Sequence, residues 1–122
     1  MFGSGTYKTK NGAFSLLKQG GATTVGAEES LTGNTQVIVH PKAGDINQAR
    51  LGSTLLGAAL SNDGRPLDFY NDIVDAHEFG HAWANVMRGI PLKNSSESNY
   101  YAVWNENFVR AHRGLSNRRK VH

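Results

Sequence analysis

The sequence contains no cysteine. Disulfides are therefore excluded, and any bound metal must be held by histidine, aspartate or glutamate. Long apolar runs are also missing: no window approaches the ~20 residues that a membrane-spanning helix requires. The first residues, Met1 to Lys10, lack the basic-then-apolar layout of a standard secretion signal. Apolar residues make up 39% of the 122-residue chain, somewhat below the usual globular range, while glycine is plentiful at 14 residues. One domain, or a piece of one, with a modest core is the expectation.

The formal net charge is +3. Part of the excess lies in Arg110, Arg113, Arg118, Arg119 and Lys120. No interleaved aromatics or nucleic-acid-binding motif accompany them, so they read as a solvated basic carboxy-terminal segment, with no nucleic-acid partner.

Residues 1–35 are rich in Gly, Ser, Thr and Lys, with turn signals at Gly20-Gly21 and Thr32-Gly33-Asn34, and read as irregular. Thr35 to His40 is the one convincing strand, β-branched and ended by Pro41. His40 itself reads as a turn histidine. A weak helical pattern runs from Ala49 to Leu60, interrupted by Gly52 and Gly57, and Asn62 to Pro66 reads as a loop. The strongest helix follows. Asp68 or Asn71 can cap it, Asp72 and Asp75 complement its dipole, and Gly89 with Pro91 ends it. A second helix starts near Asn94-Ser95-Ser96-Glu97 and stops at Gly114. The stripe of Tyr100, Trp104 and Phe108 is expected to pack the core, and Trp83 to anchor the first helix there.

Within the first helix stands His77-Glu78-Phe79-Gly80-His81. Histidines four apart project from one helical face, roughly 6 Å apart along the axis. Their imidazoles can converge on one Zn²⁺. Glu78, about 100° round the helix, flanks the metal as a general base toward water. Small Gly80 and Ala82 let other parts of the site approach closely. The plain alternative is two solvated histidines beside an ordinary glutamate. For a third ligand, Ala84 and Met87 stand where a metzincin needs Gly and His, which excludes that class. A carboxylate from the following helix remains, either Glu97 or Glu106. Glu97 is already explained by helix capping, and Glu106 is preferred.

These residues resemble a known family. His77 to Ala82, then Ala102-Val103, Glu106-Asn107, Arg110, Gly114-Leu115 and a basic Arg118, are similar to the pattern of the M91-type effector metallopeptidases and related zincin-like toxin domains. The resemblance spans about residues 36–119. It implies an α+β, minimal zincin-like domain over residues 36–122, with the active-site helix and a second, ligand-bearing helix packed beside a small β-sheet. It implies a zinc-dependent endopeptidase acting on a protein or peptide substrate, with His77, His81 and Glu106 as metal ligands and Glu78 as catalytic base. It also implies export as an effector, or as part of a larger secreted protein. Trp104 departs from the pattern, and Arg110 stands where some gluzincins keep an aspartate that orients a zinc histidine. Asp75 and Asn107 are the candidates for that orienting role. A non-catalytic zincin-like binding module is the alternative, although a binding module has no use for Glu78.

Overall fold

The computed structural model describes residues 5–52, 67–92 and 96–118. Four short strands precede three helices: β1 (Thr6–Thr9), β2 (Gly12–Ser15), β3 (Ala22–Val25), β4 (Gln36–Val39), α1 (Ala43–Gly52), α2 (Asn71–Arg88) and α3 (Ser96–His112). The strands form two antiparallel pairs, β1 with β2 and β3 with β4. The chain is thus α+β. Among the described residues no helix is long and apolar enough to cross a membrane.

The expectation of an irregular segment over residues 1–35 is corrected. Three strands lie within it, each only four residues long, too short for period-2 alternation to stand out among the glycines. β3 pairs with β4 in the register Ala22↔Val39 through Val25↔Gln36, so a division at residue 35 cuts a paired sheet. The strand expected at 35–40 is β4. Most of the weak helical pattern at 49–60, and the 62–66 loop, fall outside the described residues.

Neither expected residue caps α2. Tyr70 is the N-cap and makes no side-chain capping bond. Asn71 ties α2 to α1 instead: its Oδ1 accepts from Gly44 N–H at 2.7 Å, and its Nδ2 donates to Pro41 O at 2.8 Å. The far end follows expectation. Gly89 takes the left-handed conformation at φ 65°, its N–H donates to Asn85 O at 3.1 Å, and Ile90 N–H donates to Ala84 O at 3.2 Å.

Ala22, Ala43, Leu67, Phe69, Ile73 and Val74 form the core, joined by Val39, Val109 and Leu115. Against it, α3 presents a different face from the aromatic stripe expected there. Its buried residues are Ser98, Ala102, Val103, Glu106, Asn107 and Arg110. The aromatic stripe lies outside, with Tyr100 39%, Trp104 48% and Phe108 68% exposed, and Trp83 on α2 is 47% exposed. Both expectations of core packing are corrected, and the reason is distance. A Cβ on Gly80 would stand 2.6 Å from Ala102 Cα, so the two helices meet backbone to backbone where no aromatic fits. The aromatics cover one another on the outer face, Trp83 with Tyr101 at 5.4 Å and Trp104 with Phe108 at 5.9 Å between centroids.

The basic segment is corrected in the same way. Arg110 is 1% exposed and Arg118 only partly exposed, both bonded to Glu106. Arg113 does lie at the surface, paired with Asp72 at 2.8 Å. Arg119 and Lys120 fall outside the described residues.

Candidate active site

Helix α2 places His77 and His81 on one face, ring centroids 4.9 Å apart and planes at 73°. Helix α3 lies along that face and engages the Nδ1 atom of each ring. His77 Nδ1 is 2.9 Å from Glu106 Oε1, and His81 Nδ1 is 2.8 Å from Ser98 Oγ. The close approach at Gly80 makes these bonds possible, because Gly80 lies between the histidines along the helix and lets α3 reach both.

Glu106 is fully buried among cationic groups. Its Oε1 also accepts from Arg118 Nη1 at 3.0 Å, and its Oε2 accepts from Arg110 Nε at 2.7 Å. Burial alone would raise its pKa. The hydrogen bond from His77 and the charges of Arg118, His77 and Arg110 outweigh that and hold it down at about 2. An ionised carboxylate only accepts, so His77 Nδ1 carries the proton in this bond. In the neutral ring, Nε2 then keeps its lone pair. Burial, then the neighbouring His77, lowers the His81 pKa to about 3 and keeps that ring neutral.

Both arginines are themselves fixed. Arg110 lies over the Phe69 ring at 4.9 Å and donates through Nη1 to Asp68 O at 2.9 Å. Arg118 lies over the same ring at 5.5 Å. Its backbone is clamped by the Asn107 side chain, Nδ2 donating to Arg118 O at 3.0 Å and Oδ1 accepting from Arg118 N–H at 2.6 Å.

Glu78 points the other way round the helix, toward β3, and is buried. Thr24 Oγ1 lies 2.8 Å from Glu78 Oε1 and 2.9 Å from the Glu78 carbonyl oxygen. Burial raises the Glu78 pKa, opposed by His77, the Thr24 bond and Arg118. The residue borders two cavities. One of about 120 Å³ is shared with Phe69, His77, Glu106 and Arg118, and one of about 200 Å³ is shared with Thr23, Thr24, His81 and Leu92. A carboxyl of raised basicity between two small cavities and beside two imidazoles is equipped to take up and return a proton.

The structure therefore brings His77, Glu78, His81 and Glu106 into one neighbourhood. Glu106 arrives at the Nδ1 side of His77, and among the described residues no three His, Asp or Glu side chains form a group able to hold a metal ion. Glu97 and His112 are exposed. His40 sits in a turn, its Nδ1 accepting from Lys42 N–H at 3.0 Å. Of the two orienting candidates, Asp75 keeps a buried Oδ1 without a partner among the described residues, and Asn107 holds Arg118. Neither is hydrogen-bonded to a histidine; Glu106 and Ser98 are. Sequence reasoning missed Ser98, Thr24, and the burial of Arg110 and Arg118. Only Arg110 carried a local signal, being four residues from Glu106 on the same helical face.

Comparison with family models, curated proteins and solved structures finds no match to this chain.

Proposed function

We propose that this chain is a zinc-dependent endopeptidase. One observation carries the reading: both histidines of the HExxH segment are held through Nδ1 by α3, the arrangement by which proteins orient zinc-ligating imidazoles and free Nε2 for the metal. The donor set also suits the ion, since imidazole nitrogens are ordinary zinc ligands. His77 and His81 would hold the metal through Nε2. When bound, zinc would polarise a scissile carbonyl and acidify water. Glu78 takes the proton from the attacking water at its carboxylate and returns it to the leaving amine as the peptide C–N bond breaks.

Glu106 enters this reading as the carboxylate that orients His77. The two nitrogens of an imidazole point in divergent directions, so an oxygen resting on Nδ1 does not share a metal with Nε2. Should Glu106 instead leave Arg118 and ligate directly, as the family resemblance implies, zinc titration separates the two arrangements. Glu106→Gln weakens binding by about 10–100-fold if the residue orients, and abolishes it if the residue ligates. The resemblance also supports action on a protein target and export as an effector or toxin, alone or within a larger secreted protein.

The decisive experiment compares wild-type chain with Glu78→Gln for zinc content and for cleavage of fluorescein-labelled casein. The reading expects both to hold zinc and only the wild type to cleave. A wild-type chain that binds no added zinc overturns it, as does a Glu78→Gln chain that cleaves at the wild-type rate. A non-catalytic binding module on the same scaffold is the second reading. It is favoured by the outer groove of about 930 Å³ along α2 and α3, lined by Phe79, Trp83, Met87, Tyr101 and Trp104, and a zinc-holding wild type that cleaves nothing would support it.

A further inference from the structure

The bond between β3 and the carboxylate of Glu78 goes beyond the metal-binding helix. We propose that Thr24 is the positioning residue for Glu78, fixing Oε1 so that Oε2 is the oxygen turned to the reacting groups. This rests on Glu78 being the base of the proposed reaction.

Thr24 lies in β3 opposite Val37, in a strand whose two end residues, Ala22 and Val25, are buried. A paired strand fixes its Cα, and its branched Cβ restricts χ1, so the hydroxyl has a defined place. From there the same oxygen meets Glu78 twice, at the side-chain Oε1 at 2.8 Å and at the main-chain carbonyl at 2.9 Å. A hydroxyl has one proton and two lone pairs. It donates to one of these oxygens at a time and turns between them without moving its own oxygen. The contact with the carbonyl locates Thr24 against α2, and the contact with Oε1 then locates the carboxylate relative to that helix and its histidines. A glutamate side chain with three rotatable torsions is thereby reduced to one arrangement before any substrate arrives. Oε2 has no hydrogen bond to the described residues, and Glu78 borders the cavities that hold His77 and His81. A tie serving only to pack β3 on α2 would need the carbonyl contact alone.

The test uses the full chain and three substitutions. Thr24→Val keeps the branched shape and strand preference but removes the hydroxyl. Thr24→Ser keeps the hydroxyl. Thr24→Ala carries the same comparison if Val disturbs the hairpin, seen as loss of the cooperative melt. Casein cleavage gives kcat and KM, and zinc affinity is titrated alongside. The carboxyl ¹³C resonance of Glu78, identified by its loss in Glu78→Gln, is followed in metal-free chain labelled at glutamate Cδ.

Loss of positioning lowers kcat by about 10–100-fold, leaves KM and zinc affinity near wild type, and moves the Glu78 resonance. Thr24→Ser restores most of kcat and the resonance position. The proposal is overturned if Thr24→Val retains wild-type kcat while Glu78→Gln is inactive, if the resonance stays in place, or if Thr24→Ser behaves like Thr24→Val. If the wild type cleaves nothing, the endopeptidase reading falls by itself, and the resonance alone decides whether Thr24 holds the carboxylate.

Discussion

Replacing Gly80 by alanine tests whether the backbone contact between α2 and α3 builds the site. The added Cβ would lie 2.6 Å from Ala102 Cα, 2.6 Å from Tyr101 O and 3.0 Å from Tyr101 C. Carbon atoms at rest stand about 3.5–4.0 Å apart, so α3 must retreat by roughly 1 Å. All three opposing atoms are backbone, and no rotamer change relieves them. The retreat also stretches the bonds that span the interface, His77 to Glu106 at 2.9 Å and His81 to Ser98 at 2.8 Å, toward the limit of hydrogen bonding. Helix propensity works in the opposite direction, favouring Ala over Gly by about 1 kcal/mol. Overpacking costs about 1–3 kcal/mol, and a weakened buried hydrogen bond about 1 kcal/mol more. The balance is a loss of roughly 1–3 kcal/mol, or a fall in Tm of roughly 3–15 °C for a chain of this size. Thermal unfolding followed by far-ultraviolet circular dichroism measures it. Zinc affinity should fall by about 10–100-fold in the same protein, because both imidazoles lose their orienting partner. A Gly80→Ala chain that melts at or above the wild-type temperature would refute the reasoning, since that is the sign propensity alone gives.

Glu106→Gln removes the counter-charge of Arg110, which is 1% exposed. Breaking a buried pair from one side costs about 3–5 kcal/mol, and urea unfolding at neutral pH should show that loss. The same carboxyl governs acid stability. Its folded pKa of about 2 lies below the 4.5 of a free glutamate, so between those values the unfolded chain binds a proton that the folded chain does not. Its contribution, roughly 3 kcal/mol, is present above pH 4.5, declines as pH falls and is gone below about 2. Unfolding free energies measured from pH 6 to 2 should show a shallower acid slope in Glu106→Gln than in the wild type; equal slopes would remove Glu106 as the cause. Phe108→Ser alters a side chain that is 68% exposed and should change stability by less than about 1 kcal/mol, whereas a core position would lose several in the same chemical-unfolding measurement.

How far the site could be read from the residues depends on the range of the interaction. Helix α2 was legible because its determinants are local: the histidines repeat at the helical period, and Gly89 is the left-handed stop. The link from Thr24 to Glu78 crosses 54 residues, and a four-residue strand among glycines announces neither its register nor its partner. Ser98, in a serine-rich helix start, offers nothing to separate an orienting hydroxyl from a capping one. The assignment of α3's faces failed for a more general reason. A helical wheel scored by apolar area assumes that the largest hydrophobic side chains turn inward. At this interface, Gly80 and Ala102 allow the backbones so near that only small residues fit at the crossing. Beyond it, the interior belongs to a charged set centred on Glu106, which accepts from His77, Arg110 and Arg118. A carboxylate and an arginine four apart, on the face that carries Ala102 and Val103, is the pattern that marks such an interior. Apolar area decides where most helices bury themselves, but a site that must hold a histidine's Nδ1 needs a buried acceptor. On α3 that requirement sends Glu106 inward and leaves the aromatics on the outer face.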